Sequence, residues 1–199
     1  MNRLYVFGTV AILAIAVSII WIDQPLATWI DAHQSVWLST AGWWLEEAGK
    51  SHWVLIYCIG MIAFTWRSTR SEAYKFLAFF VSVAASGILA NLIKVVACRP
   101  RPPLFILQGI THWNVFGFQI EYIWNSFPSG HATTGLAIAI SGAAIYPRLR
   151  WLFWSLGIAI ALGRLAINAH FLSDVIAGGL LGAVVAVVVN KLFAEKTRI

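Results

Sequence analysis

Charged side chains are scarce in this chain: Lys, Arg, Asp and Glu make up 11% of its 199 residues, whereas hydrophobic residues make up 60%. Soluble domains carry about a quarter charged residues, so the composition excludes an ordinary soluble domain. The alternating strands of about ten residues that a β-barrel needs are also lacking. Only two cysteines occur, Cys58 and Cys98, and they form no disulfide framework or zinc-binding spacing. The long apolar runs instead predict a polytopic helical membrane protein.

Six apolar runs are candidates for membrane-spanning helices: residues 4–22, 53–66, 76–96, 131–146, 151–167 and 171–193. The first is interpreted as a retained helix, because no small-residue cleavage site follows it. Residues 23–51 mix charged side chains with four tryptophans and are expected to form short interfacial helices. The predicted fold is an all-α bundle of six transmembrane helices, with residues 1–199 as a single domain.

Basic residues are divided unevenly between the two sides of such a bundle. The side of both termini holds nine: Arg3, Arg67, Arg70, Lys75, Arg148, Arg150, Lys191, Lys196 and Arg198. The opposite side holds five: Lys50, Lys94, Arg99, Arg101 and Arg164. By the positive-inside rule, both termini are expected in the cytoplasm. The net charge of +6 is thus a topology signal, and nucleic acid binding is not predicted.

The segment Phe127-Pro128-Ser129-Gly130-His131 leads from an aromatic loop into an apolar helix. A helix start offers unpaired backbone N–H groups and the positive end of the helix dipole. Ser129 can cap the helix, Gly130 lets a ligand approach the backbone, and His131 adds an acid/base group. The pattern indicates an anion site, although taken alone it is also typical of an ordinary N-cap beside a chance histidine.

Alternating helix directions place further polar residues on the same, non-cytoplasmic side. Lys94 and Arg101 follow the third run, Arg164 ends the fifth, and His170 and Asp174 begin the sixth on one helical face. Cationic side chains suit phosphate oxygens, and a histidine beside a carboxylate suits a base or a nucleophile. We therefore predict a phosphoester site in which one histidine attacks and the other protonates the leaving oxygen. Singly, each residue also fits a snorkelling or helix-capping role.

Residues beside this group have plainer interpretations. Arg99 is the weakest candidate and is expected to face lipid headgroups. Glu121 and His112 lie in the loop before residue 125 and are expected to be solvated, and the aromatic residues of that loop are expected at the membrane interface. The glycine-rich stretch 178–182 is expected to serve helix packing, within the bundle or between chains.

Lys94-x6-Arg101-Pro102, Pro128-Ser129-Gly130-His131 and Arg164-x5-His170-x3-Asp174 together resemble the three-part signature of the type-2 phosphatidic acid phosphatase superfamily over residues 94–174. The resemblance implies a metal-independent lipid phosphate phosphatase without a cofactor, which acts through a phosphohistidine intermediate. By position, it implies that His170 is the nucleophile, Asp174 its partner and His131 the general acid. It implies phosphate-binding roles for Lys94, Arg101, Ser129, Gly130 and Arg164.

One position departs from the family pattern, because Gly163 stands where a serine is usual. The missing hydroxyl removes a hydrogen bond worth about 0.5–1.5 kcal/mol. We expect this difference to affect substrate range more than activity. Vanadate-dependent haloperoxidases share the superfamily, but they are soluble, and the membrane composition argues against that alternative.

The sequence thus predicts a membrane lipid phosphatase that hydrolyses a phosphate monoester or a pyrophosphate at the non-cytoplasmic face, periplasmic if the membrane is a bacterial inner membrane. Candidate substrates are phosphatidic acid, phosphatidylglycerol phosphate, undecaprenyl pyrophosphate and a lipid A phosphate. The expected partners are this lipid and the bilayer. A lipid phosphotransferase on the same scaffold is the first alternative. A phospholipid or ion transporter is the second, although transport sites usually lie near the membrane midplane.

Overall fold

The structure, a computed structural model, describes residues 2–197. Of the basic residues predicted at the cytoplasmic side, Arg198 and the side chain of Arg3 lie outside the described part. Between residues 2 and 197 the chain contains no β-strand, which confirms the all-α class. The α-helices of this part are α1 (Asn2–Val17), α2 (Asp23–Ala32), α3 (Val36–Ala48), α4 (Ser51–Thr65), α5 (Arg70–Ala97), α6 (Pro102–Gln108), α7 (Gly130–Ile145), α8 (Arg150–Ala166) and α9 (Leu172–Phe193).

Four segments of the described chain are long and apolar enough to cross a membrane: Gly8–Ala32, Arg70–Gln108, Pro147–Ala166 and Leu172–Phe193. The chain is therefore an integral membrane protein. Helices α4 and α7 match two further predicted spans, but they have only 15 and 16 residues. A helix of that length measures about 24 Å, less than a hydrocarbon core of about 30 Å. The predicted number of six spans stays a prediction.

The first helix differs from the prediction, because it does not end near residue 22. A π-helical turn, Ser18–Ile22, joins α1 to α2 without a break, and the helix continues to Ala32. Asp23, expected at the membrane surface, is only 1% exposed and accepts a hydrogen bond from Ser18 Oγ at 2.6 Å. Because the Asp23 carboxylate is buried and hydrogen-bonded inside the bundle, the helix continues past this polar residue.

Helix α7 packs against α9 through close contact between backbones. A Cβ atom added to Gly178 would lie 2.3 Å from the carbonyl oxygen of Ser129, and one added to Gly182 would lie 2.1 Å from that of Thr133. The glycines therefore serve packing within the bundle, one of the two predicted alternatives. This approach brings the N-terminal ends of α7 and α9 together.

The turn after α5 redirects two arginines towards these helix ends. Helix α5 ends at Ala97, and the next residue, Cys98, has a φ of 41° that places it in the left-handed region. Pro100 and Pro102 prevent the helix from continuing, since proline lacks the backbone N–H that a helix interior needs. Arg99 and Arg101 consequently point back into the bundle, and each is 5% exposed.

We predict that Gly182→Ala lowers the free energy of unfolding by about 1–3 kcal/mol, because the added methyl group would press on the backbone of α7. The measurement is thermal unfolding of the purified protein in detergent. Gly60→Ala is the matched control, since a Cβ built there has no atom of the described residues within 4 Å apart from the adjacent residues and backbone of its own helix. Equal unfolding temperatures for both variants would contradict the prediction.

Candidate active site

A cavity of about 310 Å³ lies between α3, α4, α5, α7 and α8, beside the loop that leads into α9. Six of the eight site residues predicted from the sequence line it: Lys94, Arg101, Gly130, His131, Arg164 and His170. The other two, Ser129 and Asp174, are 0% exposed and lie behind the wall. The structure thus brings the predicted residues together, while their chemical roles stay predictions.

Backbone carbonyls, rather than carboxylates, hold two of the cations. Lys94 Nζ donates to the carbonyl oxygen of Asn125 at 2.7 Å. Arg101 donates to the carbonyl oxygens of Tyr122 at 2.8 Å and Ala169 at 2.9 Å, and it stacks on the Tyr122 ring. Neither forms a salt bridge with a described residue. Their positive charges therefore remain available to an anion in the cavity.

Arg164 and His131 present buried polar atoms to the same cavity. Arg164 is 1% exposed, and its Nε has no hydrogen-bond partner among the described residues. The Nε2 atom of His131 is likewise buried and unpartnered within residues 2–197. Buried polar atoms normally have partners, so these two are donors or acceptors suited to a bound ligand.

The contacts of His170 identify its tautomer. Its Nε2 lies 3.1 Å from Arg101 Nη1, and because arginine can only donate, Nε2 must be the acceptor. The ring proton of the neutral form therefore sits on Nδ1, which lies 3.6 Å from Asp174 Oδ2 and 3.4 Å from Ser126 Oγ. The lone pair of Nε2 is therefore directed at Arg101, which lines the cavity, and Nε2 must give up this hydrogen bond when it attacks a ligand.

Burial keeps the His170 imidazole neutral. The side chain is 3% exposed, and loss of hydration lowers the pKa of His170 well below its ordinary value. The cations Arg101 and Lys94 lower the pKa further, while Asp174 opposes them. A neutral imidazole is the form that can act as a nucleophile or a base.

A buried hydrogen-bond network holds Asp174 in place. Its Oδ2 accepts from Ser126 Oγ at 2.6 Å and from the backbone N–H of Phe171 at 2.9 Å. Its Oδ1 accepts from Arg99 Nη1. These donors keep the carboxylate ionised and beside the ring of His170.

Arg99 connects this network to the first helix, which corrects the expectation that it faces lipid headgroups. Its Nη2 donates to Asp23 Oδ2 at 2.7 Å, and its guanidinium lies against the rings of Phe171 and Trp113. Asp23 also accepts from the backbone N–H of Ser173 at 3.0 Å. The sequence did not predict this contact, because it depends on the π-helical turn before Asp23. The composition of that turn does not distinguish it from α1.

The start of α7 has the predicted form. Ser129 Oγ accepts from the backbone N–H of Ala132 at 3.4 Å and so caps the helix, and Gly130 and His131 of its first turn line the cavity. A Cβ on Gly130 would lie 4.0 Å from Lys94 Cε, so the missing side chain widens the space beside Lys94. As expected, Glu121 and His112 are exposed. Tyr122, by contrast, lines the cavity, although the aromatic residues of its loop were expected at the interface.

The space next to Gly163 belongs to a neighbouring helix. A Cβ added there would lie 2.8 Å from Leu45 Cβ of α3. A serine at this position would therefore require α3 to move outwards. The departure from the family pattern is thus coupled to close packing of α3 on α8, a relation that the sequence alone does not reveal.

The fold and the cavity define a helical membrane phosphatase with a histidine, a carboxylate and a cationic cradle. The sequence profile of the PAP2 superfamily matches residues 75–198, and the chain belongs to this superfamily. The predicted class, a membrane lipid phosphatase and therefore a hydrolase, is confirmed by this match and by the relatives below.

Two curated relatives are lipid A 1-phosphatases. That of Rhizobium etli is 31% identical over 183 residues, which cover 85% of this chain and 76% of the relative. That of Rhizobium johnstonii is 34% identical over 164 residues, which cover 76% and 66% respectively.

Two solved structures share the fold. LpxE from Aquifex aeolicus matches with a TM-score of 0.64 at 19% identity, over 85% of this chain and 95% of that one. A PAP2-type phosphatidylglycerolphosphate phosphatase from Bacillus subtilis matches with a TM-score of 0.62 at 20% identity, over 98% and 96%.

We predict that Asp23→Ala lowers the free energy of unfolding by about 3–5 kcal/mol, because it leaves a buried arginine without one of its carboxylates. Thermal unfolding in detergent measures the loss. Asp31→Ala is the control, since Asp31 is an exposed aspartate of the same helix. A loss no larger than that of the control would show that the buried network contributes little.

We also predict a pH-dependent stability difference between the wild type and His170→Gln. The unfolded histidine takes up a proton near pH 6.5, whereas the lowered pKa of buried His170 keeps the folded ring neutral. The wild type therefore loses stability relative to the variant as the pH falls below 6.5, by about 1.4 kcal/mol at about pH 5.5. Unfolding curves of both proteins from pH 8 to 5.5 test this. A constant difference would mean that the folded ring titrates like the unfolded one.

Proposed function

We propose that the chain hydrolyses a lipid phosphate monoester through a phosphohistidine formed on His170. The observation that carries the proposal is the pairing of a neutral, acceptor Nε2 on His170 with three cationic side chains around one cavity. Lys94, Arg101 and Arg164 neutralise the phosphate oxygens, and the N-terminal N–H groups of α7 add further donors.

In the first step, the Nε2 lone pair attacks phosphorus and the bond to the lipid oxygen breaks. His131, whose Nε2 is buried in the same cavity wall, donates a proton to the leaving oxygen. The Asp174 carboxylate, whose Oδ2 lies 3.6 Å from Nδ1 of His170, stabilises the positive charge that develops on the ring. The cationic cradle stabilises the charge on the phosphoryl oxygens.

In the second step, water attacks the phosphoryl group on His170. His131, now unprotonated, takes a proton from the water, and the N–P bond breaks to release inorganic phosphate. The residues present supply every proton transfer, so neither a metal nor a cofactor has a role in the proposed reaction. The same intermediate would transfer its phosphoryl group to a lipid hydroxyl if one replaced the water, which is the phosphotransferase alternative.

The proposed topology has six spans, both termini in the cytoplasm and the cavity at the outer face of a bacterial inner membrane. The basic residues of the described loops support it. Arg67, Arg70, Lys75, Arg148, Arg150 and Lys191 belong to helix ends opposite the cavity, which the positive-inside rule assigns to the cytoplasm. Contacts of Asp23 and Glu46 with the residues of the signature support one domain over the whole chain.

A lipid A phosphate is the first substrate to test, because both Rhizobium relatives carry the name lipid A 1-phosphatase. Phosphatidic acid, phosphatidylglycerol phosphate and undecaprenyl pyrophosphate complete the panel. The test measures release of inorganic phosphate from each lipid by the purified protein, with and without a chelator of divalent metals.

We predict that His170→Ala loses phosphate release by a factor of about 10⁴ or more, because no other described residue offers a nucleophile at that position. His112→Ala is the control: it removes an exposed loop histidine and should retain wild-type turnover. Acid-labile phosphate trapped on the wild type, and absent from His170→Ala, identifies the intermediate.

Full turnover by folded His170→Ala would refute the nucleophile, and strict dependence on an added metal would refute the reaction as written. Phosphate release that appears only as transfer to a second lipid would identify the phosphotransferase instead.

A further inference from the structure

Glu46 is an acidic side chain within the candidate phosphate site that the proposed reaction leaves without a role. Its Oε2 lies 2.6 Å from Arg164 Nη1, and it lines the same cavity as Lys94 and His131. The Glu46 side chain is 31% exposed, whereas that of Arg164 is 2% exposed. The carboxylate therefore reaches a buried cation of the cradle from the open side of the cavity.

Tight helix packing fixes the position of Glu46. A Cβ on Gly42 would lie 2.3 Å from Ile167 Cγ2, and one on Gly49 would lie 2.5 Å from Ile160 Cγ2. These two glycines flank Glu46 in sequence, so α3 rests directly on α8 above and below it. This close packing fixes the backbone of Glu46 beside α8, within reach of Arg164.

The charges of the cavity wall can be counted. Lys94, Arg101 and Arg164 contribute three positive charges, and Glu46 removes one, which leaves +2. Lys50 also lines the wall, but it is paired with Glu47. A net charge of +2 balances the dianion of a phosphate monoester, whereas a second phosphate group adds further negative charge.

The residues behind the wall add no positive charge to it. Asp23, Arg99 and Asp174 form a network with a net charge of −1.

We propose that Glu46 is a specificity-determining residue, which matches the charge of the cavity to a lipid phosphate monoester and disfavours a pyrophosphate. The inference rests on the proposed function and deepens it. Glu46 lowers the affinity for any anion by reducing the charge of the cradle, and it does so more strongly for an anion of higher charge. A terminal phosphate held at the cradle places the next phosphate group of a pyrophosphate towards the cavity mouth, where the carboxylate repels it.

The experiment compares inhibition by inorganic phosphate and by pyrophosphate during hydrolysis of a lipid phosphate monoester. In Glu46→Gln, the inhibition constant of pyrophosphate is expected to fall about tenfold and that of phosphate about threefold, since Coulomb energy scales with ligand charge. Glu46→Asp keeps the charge and should keep wild-type selectivity.

Two further variants are matched controls. Glu47→Gln removes the neighbouring charge, whose partner is Lys50, and Glu72→Gln removes a distant one, whose partner is Lys75. Glu72→Gln should match the wild type, and Glu47→Gln should strengthen both inhibitors by a similar, smaller factor. An unchanged ratio of the two inhibition constants in Glu46→Gln, whatever its stability, would overturn the proposal and leave Glu46 with a structural role.

His170→Ala, assayed alongside, separates the two levels of inference. If it is inactive while Glu46→Gln shows wild-type selectivity, only the role of Glu46 fails. If it retains turnover, the phosphohistidine reaction itself fails.

Discussion

The buried carboxylate of Asp174 is the group on which the rest of the site depends. It lies 3.6 Å from His170 Nδ1. It accepts hydrogen bonds from the backbone N–H of Phe171, just before α9, from Ser126 in the loop before α7, and from Arg99. A carboxylate with no exposed surface requires such partners, because desolvation would otherwise favour its protonated form. Asp23 extends the network to the first helix, so the position of Asp174 beside His170 is tied to the N-terminal part of the chain.

The cations of the site fall into two groups that differ in how their charge is compensated. Arg99 is paired with both Asp23 and Asp174, so its charge is compensated and its role is to stabilise the folded protein. Lys94 and Arg101 are oriented by carbonyl dipoles, which position a cation without cancelling its charge. This arrangement costs stability, since like charges are held close together in a buried site. Binding of the phosphate group proposed above would offset that cost.

The helical class and the residues of the cavity were largely predictable from the sequence, because apolar runs and alternating helix directions follow from local patterns. His131 and His170 were brought to one cavity as those directions required. Asp23, Arg99 and Glu46 were missed because their roles depend on helix ends and helix packing. The continuation of the first helix to Ala32 and the left-handed Cys98 orient Asp23 and Arg99, and no local pattern encodes either. The place of Leu45 beside Gly163 likewise exists only in the packed bundle.

The N-terminal and C-terminal parts of the chain contribute different groups to the site. The superfamily profile begins at residue 75, so the groups proposed to carry out the chemistry lie within it, whereas Asp23 and Glu46 lie outside. Asp23 is linked through Arg99 to Asp174, the carboxylate beside His170, and Glu46 reaches Arg164 from the cavity mouth. A change at the mouth can therefore alter which anion enters without disturbing the histidine and its carboxylate. The glycine at position 163 is consistent with this arrangement, because the lack of a side chain there lets α3 pack close enough to α8 for Glu46 to reach Arg164.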